Sequence, residues 1–389
     1  MRVGIVSDSH HYRTPDGRLW NLGILKRQFE CWAALFDEVV ICAPLLEGPV
    51  PATHSPYESA NIRLIPVRAA GGNGMREKLR LLAAVPGWIR ALRRLFAQVD
   101  AVHVRCPNNI SIPALLMLSV RSHLRHAAYT GDWNGYHTEP ATFALQRRML
   151  RRFRGPVAVY GEPRGGANVV SSFSPSYSDQ DWTAESGQVE ARTASLRAST
   201  SLSTVRLVTV GTLDANKSQS VVVDAVRILR AEGVDARLTI IGDGPRRAAL
   251  ERQVADGQLQ DFVHFAGRRS VTEVRDAYRH ADFVIQSPVA EGFGKVPVEA
   301  FFHGVIPVLS DVGQSRWLLG QGSRGQWFPT GSSVEAARHV SAFARDCALM
   351  ISMIEDGRRF ARSMTLESWQ LHLEQVLEDS WGMQACSRR

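Results

Sequence analysis

The chain has few cysteines and no place where they act together. Five are present in 389 residues, Cys31, Cys42, Cys106, Cys347 and Cys386, scattered and odd in number. No two share metal-ligand or redox spacing, which argues against a zinc ribbon, a dithiol redox motif or a disulfide framework. Buried thiols in a reducing compartment are expected instead. Long apolar runs are also missing, so no membrane-spanning helix is expected. Met1-Arg-Val-Gly-Ile-Val6 enters an apolar strand at once and lacks the layout of a signal peptide; a cytoplasmic location is the expectation. Acidic charge falls short of basic, 38 Asp+Glu against 46 Lys+Arg, and the shortfall is local. Residues 1–200 hold 24 Lys+Arg against 16 Asp+Glu, whereas residues 201–389 hold 22 of each. The first half therefore suits an anionic partner or an anionic surface, set against the plainer account of an Arg-rich, soluble composition.

What is present fits two α/β domains in tandem. The length is comfortable for two cores. Met1–Ser7 reads as a buried strand, followed by a polar loop to Gly17, a helix over about 19–35 and a second strand, Glu38–Ala43, closed by Pro44. Strands at 101–105 and 127–130 and helices at 112–124 and 143–152 continue the alternation, which implies a parallel sheet covered on both faces. Residues 171–204 are rich in Ser, Thr and Ala and read as an extended connector with at most one strand. A second series begins at Val205. Its strands are expected at 206–211, 237–242, 262–267, 282–286 and 306–310, and its helices at 218–232, 245–255, 271–280 and 296–302. Ligands of such sheets bind at the carboxyl ends of the strands, and the cleft between the two domains is the default site.

Four strand-end loops of the second series carry the chemistry: Gly211-Thr212-Leu-Asp-Ala-Asn-Lys217, Gly242-Asp243-Gly-Pro245, Gly267-Arg268-Arg269, and Pro288-Val-Ala-Glu291-Gly292-Phe293-Gly294-Lys295. Gly292 and Gly294 clear side chains from where backbone N–H groups approach an anion. A helix starting near Val296–Pro297 adds its N-terminal dipole for a diphosphate. Glu291 and Glu299 are separated by seven residues, with Glu299 expected in the first helical turn. A carboxylate there accepts from vicinal ribose hydroxyls, and Glu291 does the same for a sugar. A diol on each side of a diphosphate describes a nucleotide sugar. Lys217 in the facing loop supplies a cation for charge that develops on the leaving diphosphate. The bland account is that Gly-rich loops are common and that acids near helix starts often only cap.

These residues resemble the C-terminal domain of the retaining GT-B glycosyltransferases of family 4 (glycosyl transferases group 1) over about 205–330. The likeness rests on the E-x7-E pair Glu291 and Glu299, the Gly-Asp-Gly-Pro turn, the lysine after the first strand, and the run Glu299-Ala300, Gly304, Pro307-Val308. It implies an α/β GT-B fold of two Rossmann-like parallel-sheet domains facing a cleft. Residues 1–200 would bind the acceptor, 201–360 the nucleotide sugar, and a C-terminal helix over about 361–389 would pack back on the first domain. By the same resemblance Glu299 binds the ribose, Glu291 the transferred sugar, backbone N–H groups of Phe293–Val296 the phosphates, and Gly267 and Arg268 flank the base. No metal or other cofactor is expected. Two positions depart from the family pattern: Thr212 stands where an arginine usually accompanies the lysine, and Val312-Gly-Gln-Ser-Arg-Trp317 replaces a Gly-Gly…Glu stretch. Arg316 is a candidate for the missing charge.

In the first half, Asp132 stands near where many family members carry a histidine, and it is the candidate third catalytic residue; capping of the following turn is the alternative. Asp8, His10, His11, Arg105, Asn108 and His137 are candidates on the acceptor side. Met75–Gln98 interleaves Arg76, Lys78, Arg80, Arg90, Arg93 and Arg94 with apolar residues, and Pro86-Gly87 is expected to split it into two helices. Such a surface suits anionic lipid. The expected partners are a nucleotide sugar, a carbohydrate or lipid-linked acceptor and the inner face of the cytoplasmic membrane. Nucleic acid is not expected, since no motif or aromatic stacking platform accompanies the basic residues. A nicotinamide oxidoreductase lacks its Gly-x-Gly-x-x-Gly turn in Ser7–Gly17. A sugar-nucleotide epimerase or hydrolase on the same fold is the alternative reading.

Overall fold

A computed structural model describes every residue except 52, 73, 136–138, 163–164 and 383–389; His137 and Cys386 fall outside the described residues. The chain divides into two compact units, Met1–Phe173 with Trp369–Arg389, and Ser174–Ser368.

The first unit is built on strands β1 (Arg2–Val6), β2 (His11–Arg13), β3 (Leu19–Leu22), β4 (Glu38–Leu46), β5 (His54–Pro56), β6 (Ile62–Val67), β7 (Ala101–Cys106), β8 (Leu124–Tyr129), β9 (Val157–Tyr160) and β10 (Val169–Ser172). Seven of them form a parallel array in the order β10-β9-β8-β7-β1-β4-β6. β1 and β4 are almost wholly apolar, as a sheet covered on both faces requires, and β7 and β8 interrupt the pattern with the buried His103 and His126. The helices are α1 (Gly23–Leu35), α2 (Met75–Phe96), α3 (Ser111–Ser119) and α4 (Ala141–Leu150). The expected polar loop after β1 and the start of the expected 19–35 helix are instead β2 and β3. They pair antiparallel, and β5 adds to β3. β4 runs through Pro44 to Leu46, where β2 pairs with it.

α2 is one helix, not two, although Pro86 lies inside it. The N–H that proline lacks would have bonded the carbonyl of Leu82, whose side chain is 66% exposed, so water is at hand for that carbonyl. The turns after the proline are anchored: Trp88, Ala91, Leu92, Leu95 and Phe96 are buried in the core, as is Ala84 before it. Packing here overrides a local breaker.

The second unit contains α5 (Asp179–Arg197), β11 (Val205–Val210), α6 (Gln219–Ala231), β12 (Ala236–Ile241), α7 (Arg247–Asp256), β13 (Val263–Gly267), α8 (Val271–His280), β14 (Phe283–Gln286), α9 (Lys295–Phe302), β15 (Ile306–Ser310), α10 (Ser315–Leu318), β16 (Gln326–Phe328), α11 (Ser333–Ala344) and α12 (Cys347–Arg362). α13 (Leu366–Trp381) follows, and its residues from Trp369 group with the first unit. The sheet is parallel, in the order β13-β12-β11-β14-β15-β16. Chain direction across it reverses between β11 and β14, and that switch point fixes where a ligand meets the strand ends.

Most of the expected 171–204 connector is helix α5. Ser178 and Asp181 form a reciprocal capping box at its start. Its buried stripe, Glu185, Val189, Thr193 and Leu196, is half polar, which explains the weak apolar period. Glu185 is buried because Arg279 binds both its oxygens, at 2.6 and 3.0 Å, and the His303 Nδ1 lies at 3.1 Å. α7 starts at Arg247, two residues beyond Pro245, which sits in the preceding turn.

Candidate functional site

The strand-end loops of the second unit are laced to one another by backbone bonds. Gly211 N–H donates to Ile241 O, Gly242 N–H to Gly267 O (both 2.9 Å), and Leu213 N–H to Asp243 O (3.2 Å). Asn216 clamps the next loop with a two-way bond to Ala290, both at 3.0 Å. Glycine is required where these loops touch. A Cβ on Gly242, at φ +137°, would stand 1.9 Å from Gly211 O, and one on Gly313 would stand 2.1 Å from Glu291 O. Gly242→Ala is therefore expected to destabilise the second unit by more than about 2 kcal/mol, seen as a fall in its denaturant midpoint. An unchanged midpoint would refute the close approach.

Lys217 and Glu291 come from the loops after β11 and β14, on either side of the switch point, and they form an ion pair. The lysine backbone is fixed by Asp214, whose Oδ1 accepts its N–H at 2.8 Å, and Ser287 Oγ donates to Lys217 O at 3.2 Å and Ser218 O at 2.8 Å. Ser218 stands at the N-cap position of α6 at φ 50°, without a side-chain capping bond. The pair is about a quarter to a third exposed, so both groups remain open to a ligand.

Gly294, at φ 70°, is the N-cap of α9, and Lys295 its first residue. The N–H groups of Lys295 and Val296 thus lie in the orphan first turn. The Phe293 side chain is 5% exposed and packs toward Trp317, so only its backbone is offered. Glu299 is the fifth residue of α9, in the second turn rather than the first. Its Oε1 accepts from Ser176 Oγ at 2.8 Å and its Oε2 from Tyr278 OH at 3.3 Å. A carboxylate has about four acceptor sites, so two more bonds remain for a ligand. Burial, with Glu299 nearby, holds the Tyr278 phenol well above its ordinary range and keeps it a donor. Behind it, Tyr177 OH meets His303 Nε2 at 3.0 Å, and burial lowers the His303 imidazole to about 4.

Ser176 and Tyr278 are the residues that sequence reasoning missed. Nothing in their local patterns singles them out; only the folded α5 entry and α8 bring them to Glu299. Thr212 is exposed, and its carbonyl accepts from Gln219 Nε2 at 2.9 Å. Asp243 Oδ1 accepts from Gly244 N–H at 2.8 Å, which fixes that turn. Gly267, at φ 72°, ends β13, and Arg268 after it is exposed. Arg316 does not stand in for an arginine at 212: Asp311 holds its guanidinium with two bonds, at 2.9 and 2.6 Å. An Asp-x-Asp string, with the spacing of a metal motif, is present at Asp179-Gln180-Asp181. Asp181 there is committed to the α5 cap and to Arg275 at 2.6 Å.

In the first unit, Asp8 and His10 line a cavity of about 510 Å³ at the carboxyl ends of β1, β4, β6 and β7. Surrounding protein raises the Asp8 carboxyl above its usual pKa, against the pull of Arg105 and His10. His11 is fully buried and structural, bonded to Ser9 O at 2.9 Å and Tyr57 OH at 3.0 Å. Arg105 donates to Gln28 at 3.1 Å. Asn108 is 7% exposed and spends its side chain on Arg105 O and on the Ser111 N–H and hydroxyl, at 2.6–2.9 Å. Its neighbour Asn109 lines the cavity instead. Asp132 accepts from Asn134 N–H at 2.9 Å, the turn-capping bond.

Residues 199–360 match the family model of glycosyl transferases group 1. The amylovoran biosynthesis glycosyltransferase AmsK of Erwinia amylovora is 29% identical over 133 residues, 30% of this chain and 33% of that protein. A GDP-mannose-dependent alpha-(1-6)-phosphatidylinositol dimannoside mannosyltransferase of Mycobacterium tuberculosis is 37% identical over 106 residues, 27% of each. The alignments thus span a third or less of the length of these two relatives. Likeness of fold covers far more. HepE of Anabaena, in complex with UDP, is 13% identical with a TM-score of 0.69 over 97% of this chain and all of that one. The fold is that of the GT-B glycosyltransferases, α/β with parallel-sheet, Rossmann-like units. Among the described residues no helix is long and apolar enough to cross a membrane.

Proposed function

We propose that the chain is a retaining glycosyltransferase of family 4 that moves a sugar from a nucleotide-diphosphate sugar to an acceptor hydroxyl, in polysaccharide or glycolipid assembly. The observation that carries this reading is the Lys217–Glu291 pair at the switch point, beside the α9 N-terminus, with Glu299 held one turn into that helix. Glu299 takes the ribose hydroxyls, Glu291 the sugar hydroxyls, and the N–H groups of Phe293–Val296 the diphosphate. Gly267 and Arg268 flank the base, and Gly211, Thr212, Gly242 and Asp243 wall the site. The acceptor oxygen bonds to the anomeric carbon on the face the diphosphate leaves. The carbon–oxygen bond to phosphate breaks with its electron pair, and the acceptor proton passes to a diphosphate oxygen. Lys217 stabilises the charge that appears there. No metal is required by this scheme.

The relatives support the class of product: one is named for amylovoran biosynthesis and one as a phosphatidylinositol dimannoside mannosyltransferase, and HepE was solved with UDP. An epimerase or hydrolase on the same fold is not favoured, since these matches are transferases. We place the acceptor in the first unit, with Asp132 orienting a hydroxyl, and the protein on the cytoplasmic face of an anionic membrane. Met75, Leu79 and Leu82 on α2 are 62–74% exposed among Arg76 and Lys78, as a peripheral anchor needs. The donor reading is tested by thermal shift against a panel of nucleotide sugars. At least one is expected to raise Tm, and Glu299→Ala is expected to lose most of the shift. No shift with any member, or full affinity in Glu299→Ala, would refute it. The anomeric configuration of product by NMR decides retention.

A further inference from the structure

We propose that the cavity of the first unit recognises an acceptor carrying an anionic group, a phosphate or a carboxylate, which Arg68 and Arg80 bind while Asp8 and Asn109 hold hydroxyls. This rests on the transfer reading above and adds the chemical class of the acceptor.

The cavity is lined by two sets of charged residues, Asp8 and His10 in one, and Arg68, Glu77 and Arg80 in the other. One set comes from the end of β1, and the β7 end adds Asn109. The other comes from the segment after β6 and the first turns of α2. Glu77, Arg80, Ala84 and Trp88 lie on one stripe of that helix, and three of them line the cavity. Trp88 is 4% exposed and donates its indole N–H to Arg68 O at 2.9 Å. A core residue therefore pins the backbone that carries Arg68. Arg80, eight residues before Trp88, rises from the same helix face.

Both arginines lack an ion-pair partner among the described residues. Elsewhere in this unit Arg147 is matched by Glu139 and Arg63 by Glu38, while the buried Arg125 is met by the backbone carbonyls of Leu118 and His123. Glu77 is the acid nearest to hand, but its carboxylate folds over Gly72 and Gly74 at the start of α2, where the helix dipole favours it. Two guanidinium groups lining a 510 Å³ recess that Asp8 also lines suit a ligand that carries both an anionic group and hydroxyls. A neutral sugar would accept their hydrogen bonds but leave both charges uncompensated. The recess is large enough for a sugar phosphate or a lipid headgroup, and the exposed Met75, Leu79 and Leu82 on the same helix are where a lipid's apolar part would begin.

Arginine labelling with phenylglyoxal, read peptide by peptide in the full-length protein, tests this. In phosphate buffer against chloride of equal ionic strength, labelling of Arg68 and Arg80 should slow together, by about threefold at twice the dissociation constant. Arg93 and Arg94, exposed on the far part of α2, should not change. Protection by inorganic phosphate assigns a soluble anionic acceptor. Protection of the pair only by phosphatidylglycerol vesicles, and not by phosphatidylcholine, assigns a lipid headgroup. The proposal is overturned if neither probe protects the pair, or if vesicles protect Arg68, Arg80, Arg93 and Arg94 alike, which is surface adsorption. Arg68→Gln should lose the phosphate-dependent protection of Arg80, and Arg80→Gln that of Arg68, the two arginines of the lining, while each protein keeps its thermal shift with nucleotide sugar. If phosphate protects the pair but no nucleotide sugar stabilises the wild type, the anion site stands and the transfer reading falls.

Discussion

Lys217→Ala should lower kcat by about 10²–10³-fold, or roughly 3–4 kcal/mol of transition-state stabilisation. The reason lies in what the ammonium does in each state. Without donor it is paired with Glu291, the residue we assign to the sugar hydroxyls. The backbone around it is tied by Asp214 and Ser287, so the side chain is delivered to the switch point whether or not the pair forms. A partly exposed ion pair contributes little to stability, and its removal should leave the folded protein intact. Charge on the diphosphate grows as the sugar departs, so the lysine matters most there and the loss should fall on kcat more than on KM. Removing Lys217 also leaves Glu291 uncompensated beside an anionic donor. Glu291→Gln in the Lys217→Ala background should then be less harmful than Glu291→Gln alone, because the two residues act as a unit. Single-turnover kinetics on the four proteins would check this. A kcat within about threefold of wild type in Lys217→Ala would remove the lysine from the chemistry.

Much of this site is legible before folding because its chemistry is local. Gly292, Gly294, Glu291 and Glu299 lie within nine residues on one strand-loop-helix unit, and their spacing is fixed by that unit. The alternation of strands from Val205 likewise places the loops on one edge. What escapes is what needs a distant partner. Glu299 acquires Ser176 from the start of α5 and Tyr278 from α8, and neither position has a periodic or motif signal. α5 itself hides because its buried face includes Glu185 and Thr193, which are internal only through Arg279 and His303. α2 hides for the opposite reason: Pro86 reads as a break, yet Trp88, Leu92, Leu95 and Phe96 bury enough apolar surface to carry the helix past it. Asn108 and Asn109 show how fine the limit is. One turns inward to cap α3 and the other lines the cavity, and no composition argument separates them.

The first unit should lose stability steadily as pH falls from about 6.5 to 4, because three of its histidines are held neutral. Burial lowers the His11 imidazole to about 4 and that of His126 to about 3, and His103 falls well below its ordinary value. The packing makes this unavoidable. His103 Nδ1 and His126 Nδ1 stand 2.8 Å apart, so one must donate and the other accept, and Trp32 stacks on His103 at 4.7 Å. Only one proton fits between the two Nδ1 atoms, and a proton added elsewhere on either ring puts a charge in the core. In the unfolded chain each histidine titrates near 6.5. Below that pH the unfolded state binds protons that the folded state cannot, so stability is full above about 6.5 and falls as pH drops. Each group removes about 1.4 kcal/mol per pH unit until its folded pKa is reached, and three together remove about 4. At that slope a domain stable by roughly 5–15 kcal/mol is exhausted about one to four pH units below 6.5. Urea midpoints followed by near-ultraviolet circular dichroism from pH 7 to 5 would show the slope. A His103→Phe/His126→Phe protein, if it folds, should lose about two-thirds of it, and His11→Asn about one-third. A wild-type stability that stays flat from pH 6.5 to 5 would mean that these imidazoles take up protons in the folded state.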